Sequence, residues 1–154
     1  MSEGMKGRVA VALSGGVDSA VAAALLLREG FEVLGVTLRL HECTEALDTR
    51  SCCGVDGMVR ARAVAGHLGI RHYVLDCPDA FEREVLRPAW DDYDRGRTPS
   101  PCLLCNERMK FGALLDWARS VGATTLATGH YARIGRDPEG CPTLLRGADP
   151  AKDQ

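Results

Sequence analysis

VALSGGVDSAVAAALL, residues 11–26, joins an apolar run that reads as a buried strand to an apolar run with helical spacing. Between them Ser14, Gly15, Gly16, Val17, Asp18 and Ser19 form a turn. Two adjacent glycines where a strand feeds a helix let another group approach the backbone closely. In an open parallel sheet, ligands sit beyond the carboxyl ends of the strands. A glycine-rich turn there can aim successive N–H groups at an anion, helped by the positive end of the following helix. The turn lacks the lysine of a GxxxxGK[ST] loop, and it is not a GxGxxG fingerprint. A loop without that lysine suits gripping a pyrophosphate that departs as a unit. Asp18 has two readings. It faces Mg²⁺ beside the phosphates, or it is the N-cap of the helix and the glycines serve only a tight turn.

Working outward, Arg8–Leu13 reads as a strand and Asp18–Glu29 as a helix closed by Gly30. Glu32–Leu40 is a second strand, followed by a polar, aperiodic loop from His41 to Ser51. Apolar residues recur with helical period from Val55 to Leu68, and Gly69 stops that helix. His72–Asp76 is a short strand, and Asp79–Asp94 a helix that Pro88 should kink or split. The stretch 96–105, with Pro99 and Pro101, reads as a loop; Lys110–Val121 is a helix and Thr124–Thr128 a strand. This alternation predicts an α/β fold: a parallel twisted sheet with helices on both faces, built through right-handed crossovers. Tyr131–Arg146 predicts a hairpin turning at Asp137–Gly140. The chain is therefore read as one domain, 1–154, with a core of roughly 1–130 and a hairpin and exit segment over 131–154. Its last residues, GADPAKDQ, are polar and unstructured in pattern, so a fragment of a longer protein is expected.

Composition narrows the setting. The formal net charge is −2, so any nucleic-acid footprint must be local. No run reaches the roughly 18 apolar residues of a membrane span, and the polar N-terminus carries no signal-peptide pattern. Seven cysteines, an odd number, suit a reducing compartment with thiols kept for chemistry or metal. The expectation is a cytoplasmic protein with no membrane partner.

SGGVDS, in its strand–turn–helix context, resembles the signature of the ATP pyrophosphatase (PP-loop) superfamily, whose fold is adenine nucleotide alpha hydrolase-like. Those enzymes adenylate a substrate oxygen and release pyrophosphate. GRTPSPCLLCNERMKFGALL (96–115), ATGHYARI (127–134) and LLRGADPAKDQ (144–154) narrow the likeness. Together they resemble the tRNA-specific 2-thiouridylases, in that family's order and spacing. The resemblance implies ATP-dependent 2-thiolation of the wobble uridine of tRNA, with a central and a C-terminal domain of the family absent here. It implies ATP and Mg²⁺ at Ala12, Leu13, Ser14, Gly15, Gly16, Val17, Asp18, Ser19, Leu38 and Gly129. Ser100, Pro101 and Cys102 would face the target base, and Lys152, Asp153 and Gln154 the tRNA. Cys105 matches the nucleophile that carries sulfur as a persulfide, with Asp18 as the catalytic residue of the loop. A sulfur donor, either a persulfide carrier protein or sulfide, is the further partner. The chain alone is expected to be inactive as a tRNA-uridine 2-sulfurtransferase.

The PCLLC segment spaces Cys102 and Cys105 as two ligands of one metal are spaced. Many of the thiouridylases carry aspartate at the position of Cys102. Two readings stand: the pair ligates a [4Fe-4S] cluster, or Cys105 is catalytic and Cys102 incidental. A zinc deaminase would need an upstream H-x-E, which HEC at 41–43 does not supply. Cys52 and Cys53 read either as metal ligands or as local loop thiols; Cys43, Cys77 and Cys141 are isolated. A reactive thiolate needs cations nearby, and Arg97, Arg108 and Lys110 are the candidates, set against plain solvated charges. With Arg95 and Arg133 they would also make a local phosphate-binding face. His130 either packs structurally or touches nucleotide. Two other functions remain open: a different PP-loop tRNA thiolase, iron–sulfur-dependent in one form, or an ATP-binding module without activity of its own.

Overall fold

Short runs of Val, Leu and Ala form the centre of the molecule, seen in a computed structural model that describes residues 6–41 and 55–151. The strands are β1 (Arg8–Ala12), β2 (Glu32–Arg39), β3 (Arg71–Asp76) and β4 (Thr125–Ala127). They pair in parallel in the order β3-β2-β1-β4. The chain steps outward from β1 to β3, then returns to the other side of β1. That reversal opens a crevice at the carboxyl ends of β1 and β4.

Side chains alternate across β1. Val9, Val11 and Leu13 face α1 (Val17–Arg28) and α2 (Val55–Leu68), meeting Ala23, Ala61 and Ala65 in one buried cluster. Ala10 faces the opposite side, where it packs with Val36, Leu114, Ala118 and Ala123. Helices therefore cover both faces, as the alternating pattern predicts.

Two helical stretches depart from the expectation. Asp79–Asp94 is not split at Pro88: α3 (Pro78–Phe81), a π-helical stretch (Glu82–Leu86) and α4 (Arg87–Asp94) follow one another without a gap. The Arg87 N–H reaches back to the Glu82 carbonyl, a wider turn that accommodates a ring with no N–H to donate. The second departure is larger. The stretch 96–105 is not a loop throughout: α5 (Pro101–Leu104), a second π-helical stretch (Cys105–Ala113) and α6 (Leu114–Ser120) run on continuously. Pro101 holds the first helical position, where its missing N–H costs nothing, and the Ser100 carbonyl accepts from Leu103 and Leu104 at 3.1 and 3.3 Å. Cys105 thus lies on a helix. A third cluster, Leu40, Phe81, Val85, Cys105 and Met109, joins the two helical stretches at the end of β2.

Beyond the sheet, β5 (Arg133–Arg136) and β6 (Pro142–Leu145) form the predicted hairpin, closed by Asp137 N–H to Cys141 at 3.0 Å. Among the described residues, no helix is long and apolar enough to cross a membrane.

Candidate active site

The glycine-rich turn is built by its own serines. Ser19, almost fully buried, donates from Oγ to the Gly16 carbonyl at 3.0 Å and accepts the Ser14 N–H at 3.3 Å. Ser14 Oγ lies 3.3 Å from Ser19 Oγ and accepts the Gly16 N–H, also at 3.3 Å. Gly15 is the strained position, with φ at +77°. A Cβ there would stand 2.3 Å from the Gly57 carbonyl oxygen of α2, so only glycine fits. At Gly16 the demand is slight, since its φ is −87° and a Cβ would meet nothing nearer than 3.4 Å. Gly16 is also the N-cap of α1. The alternative reading of Asp18 as that cap is therefore wrong. Asp18 sits in the first turn, and its carboxylate accepts the Tyr131 hydroxyl at 3.3 Å.

Behind the turn, Thr37 is a buried tie. Its hydroxyl donates to the Leu13 carbonyl at 2.7 Å and lies 2.9 Å from His72 Nε2. With its one proton committed, the hydroxyl accepts from an Nε2–H tautomer. Burial first, and the Arg62 charge second, hold His72 below the ordinary histidine range.

The turn opens onto a cavity of about 280 Å³ at the crevice between β1 and β4. Of the residues expected there, Ala12, Leu13, Ser14, Gly16, Asp18, Leu38 and Gly129 line it. Gly15, Val17 and Ser19 do not: Gly15 and Ser19 shape the turn from behind, and Val17 is exposed on α1. Gly129 is pressed onto the start of α1, where a Cβ would lie 2.6 Å from the Ser19 nitrogen. Val36, Leu40 and Leu114 add an apolar wall, while Thr128, His130 and Lys110 complete the rim. Thr128 Oγ1 meets His130 Nδ1 at 2.7 Å, and the imidazole lies tilted against Phe111. His130 is kept below its ordinary range by burial and then by Lys110. The histidine thus packs structurally and also faces the cavity.

The thiols have unlike surroundings. Cys105 is 9% exposed within the third cluster, sharing Leu40 with the cavity wall, whereas Cys102 is exposed. Cys77 packs against the same cluster, and burial, then Asp76, pushes its thiol up. Ser100, Pro101 and Cys102 lie together on the surface at the start of the helix that carries Cys105. Two of the cations expected around that thiol are occupied elsewhere: Arg97 pairs with Asp92 at 3.1 Å, and Arg108 with Glu84 at 3.6 Å. Among the described residues no three His, Cys, Asp or Glu side chains gather as a metal site. Among the described residues, the two thiols of PCLLC fall short of a cluster's donor set. Cys43, Cys52, Cys53 and the tRNA contacts expected at Lys152, Asp153 and Gln154 lie outside the described residues.

Residues 7–154 match the family described as tRNA methyl transferase HUP domain. The chain is 48% identical to a tRNA-specific 2-thiouridylase MnmA of Geobacter metallireducens, over all of this chain and 43% of that protein. It is 50% identical to the protein of the same name from Pelotomaculum thermopropionicum, over 97% of this chain and 42% of the other. The chain thus spans less than half the length of either relative. Among solved structures, a predicted subunit of tRNA methyltransferase from Methanocaldococcus jannaschii shares the fold. The TM-score is 0.53 at 18% identity, covering 79% of this chain and 52% of that one.

Proposed function

The chain belongs to the tRNA methyl transferase HUP domain family, and from that premise we propose that it performs the ATP-dependent step of tRNA uridine 2-thiolation. One observation carries the reading. Ser14, Gly16 and Asp18 of the SGGVDS turn, with Leu38 and Gly129, distant in sequence, line a single cavity at the sheet's reversal point. The cavity offers an apolar wall for a purine and, for phosphates, the glycine-rich turn at the start of α1, with one carboxylate at Asp18 to face Mg²⁺.

ATP supplies an activated phosphorus. The uracil C2 oxygen attacks its α-phosphorus, the bond to pyrophosphate breaks, and C2 then carries AMP as a leaving group in place of an oxygen that leaves poorly. The turn's amides hold the departing pyrophosphate. Cys105 takes the outer sulfur of the donor's persulfide, whose thiolate leaves; that sulfur next attacks C2, and the C–O bond breaks as AMP departs. A second thiol then attacks Cys105 Sγ and breaks the S–S bond, so the sulfur stays on C2 as 2-thiouridine and Cys105 is left in a disulfide that an external thiol reduces. Ser100, Pro101 and Cys102 would position the base from the helix start, and Lys152, Asp153 and Gln154 would touch the tRNA. The sulfur comes through Cys105 from a persulfide carrier, or from sulfide that attacks C2 directly, in the reducing cytoplasm that the free thiols suit.

Calorimetry with ATP and Mg²⁺ tests the site on this chain. Asp18→Ala should weaken binding when Mg²⁺ is present and change little when it is chelated. Equal affinity of both proteins under both conditions would remove Asp18 from the metal's surroundings.

A further inference from the structure

The glycine-rich turn carries no lysine, yet its cavity does. Lys110 stands on the second π-helical stretch, 92 residues from Asp18 in sequence, and lines the same cavity. Among the described residues it is the one lysine or arginine on that lining, and it makes no ion pair. Its neighbours Arg97 and Arg108 are both committed to carboxylates. Lys110 is half-buried. Four residues on, Leu114 forms part of the apolar wall, while Met109 turns into the cluster that holds Cys105. Lys110 thus shares the cavity lining with the apolar wall, the turn, Gly129 and His130.

We propose that Lys110 binds the nucleotide phosphate nearest the nucleoside, supplying from a distant helix the cation that other phosphate loops carry within their own sequence. This rests on the ATP-binding reading given above, and it adds a division of labour. The turn's amides grip the pyrophosphate, which leaves; Lys110 stays with the phosphate that becomes part of AMP. A lysine inside the turn would hold on to the leaving group instead. Separating the two functions lets pyrophosphate depart without breaking the contact that orients the adenylate. His130 reports on the arrangement, because Lys110 lowers its pKa from across the rim. The charged groups facing that imidazole across the cavity are Lys110 on the helix and Asp18 on α1.

The test uses the whole 154-residue chain and Lys110→Met, with Lys110→Arg as the conservative control. Affinities for adenosine, AMP and ATP are measured by titration. Lys110→Met should weaken AMP and ATP by the same factor, about tenfold or more, and leave adenosine unchanged. Lys110→Arg should recover most of the loss. Unchanged adenosine binding shows that the variant is folded and that the wall is intact. An imidazole NMR titration supplies a second reading: AMP should raise the His130 pKa in the wild type and have little effect in Lys110→Met. If AMP binds both proteins equally, Lys110 does not touch that phosphate and the proposal falls. Loss for ATP alone would place Lys110 on the pyrophosphate, which also overturns it. If the wild type binds no adenine nucleotide, the ATP-binding reading fails instead, a result the wild-type titration separates from the others.

Discussion

Gly15 and Gly16 stand side by side, but the structure loads only one of them. A side chain at Gly15 must adopt a φ of +77° and meet the Gly57 carbonyl, whereas Gly16 has ordinary backbone angles and would make only an ordinary contact with Ser14. Gly15→Ala should therefore cost about 2 kcal/mol or more in stability, with Gly16→Ala losing clearly less. Denaturant unfolding of the two variants checks this, and equal losses would contradict it. The histidines give a second expectation at this scale. His72 is held low by burial and then Arg62, and His130 by burial and then Lys110. Between the folded values and the unfolded value of about 6.5, the unfolded chain binds the extra protons. The stability from keeping these rings neutral is full above about pH 6.5 and is lost as the pH falls from there through the folded values. Unfolding at about pH 7.5 and pH 5.5 should show the decline, with a shallower one in His72→Gln. A pH-independent midpoint would count against it.

At the scale of elements, the strands and the first two helices were legible because each carries its own period. Val9, Val11 and Leu13 alternate with Ala10 and Ala12 whatever surrounds them. The hairpin at Asp137–Gly140 was legible for the same local reason. The helices after β3 were not. A π turn answers to the packing of one helix on another, and nothing in Glu82–Leu86 or Cys105–Ala113 announces it. Two prolines made 96–105 look like a loop, although Pro101 sits where a helix tolerates proline best. The site shows the same divide. The SGGVDS turn could be read from its residues, but Lys110 reaches the cavity only through the tertiary arrangement, and Thr37 looks like any strand threonine until its two partners are seen. Met109, 1% exposed at the seam of the two helical stretches, should be costly to truncate. Met109→Ala is expected to lose about 2–5 kcal/mol. A loss under about 1 kcal/mol would mean that the seam collapses around the gap.

For the whole molecule, the shortfall in length against its relatives sets the expectation. The chain should bind ATP but should not turn over tRNA to 2-thiouridine by itself, and its hold on tRNA should be weak and steeply salt-dependent. Mass spectrometry of nucleosides after incubation with ATP and a persulfide donor checks this; repeated turnover would refute it. Nucleotide should also raise the chain's thermal midpoint, because a ligand that binds only the folded form adds about 2.7 kcal/mol at a hundred times its dissociation constant. The seat of Gly129 on the backbone of Asp18 and Ser19 extends this to the order of assembly. The first strand and its turn are made before β4, yet the cavity lacks Thr128, Gly129 and His130 until β4 slots in beside β1, a contact that closes a very long loop. A growing chain on the ribosome that ends before Thr125 would display the glycine turn at the edge of an incomplete sheet. It would retain no nucleotide there, so ATP capture would mark the moment at which the domain finishes folding.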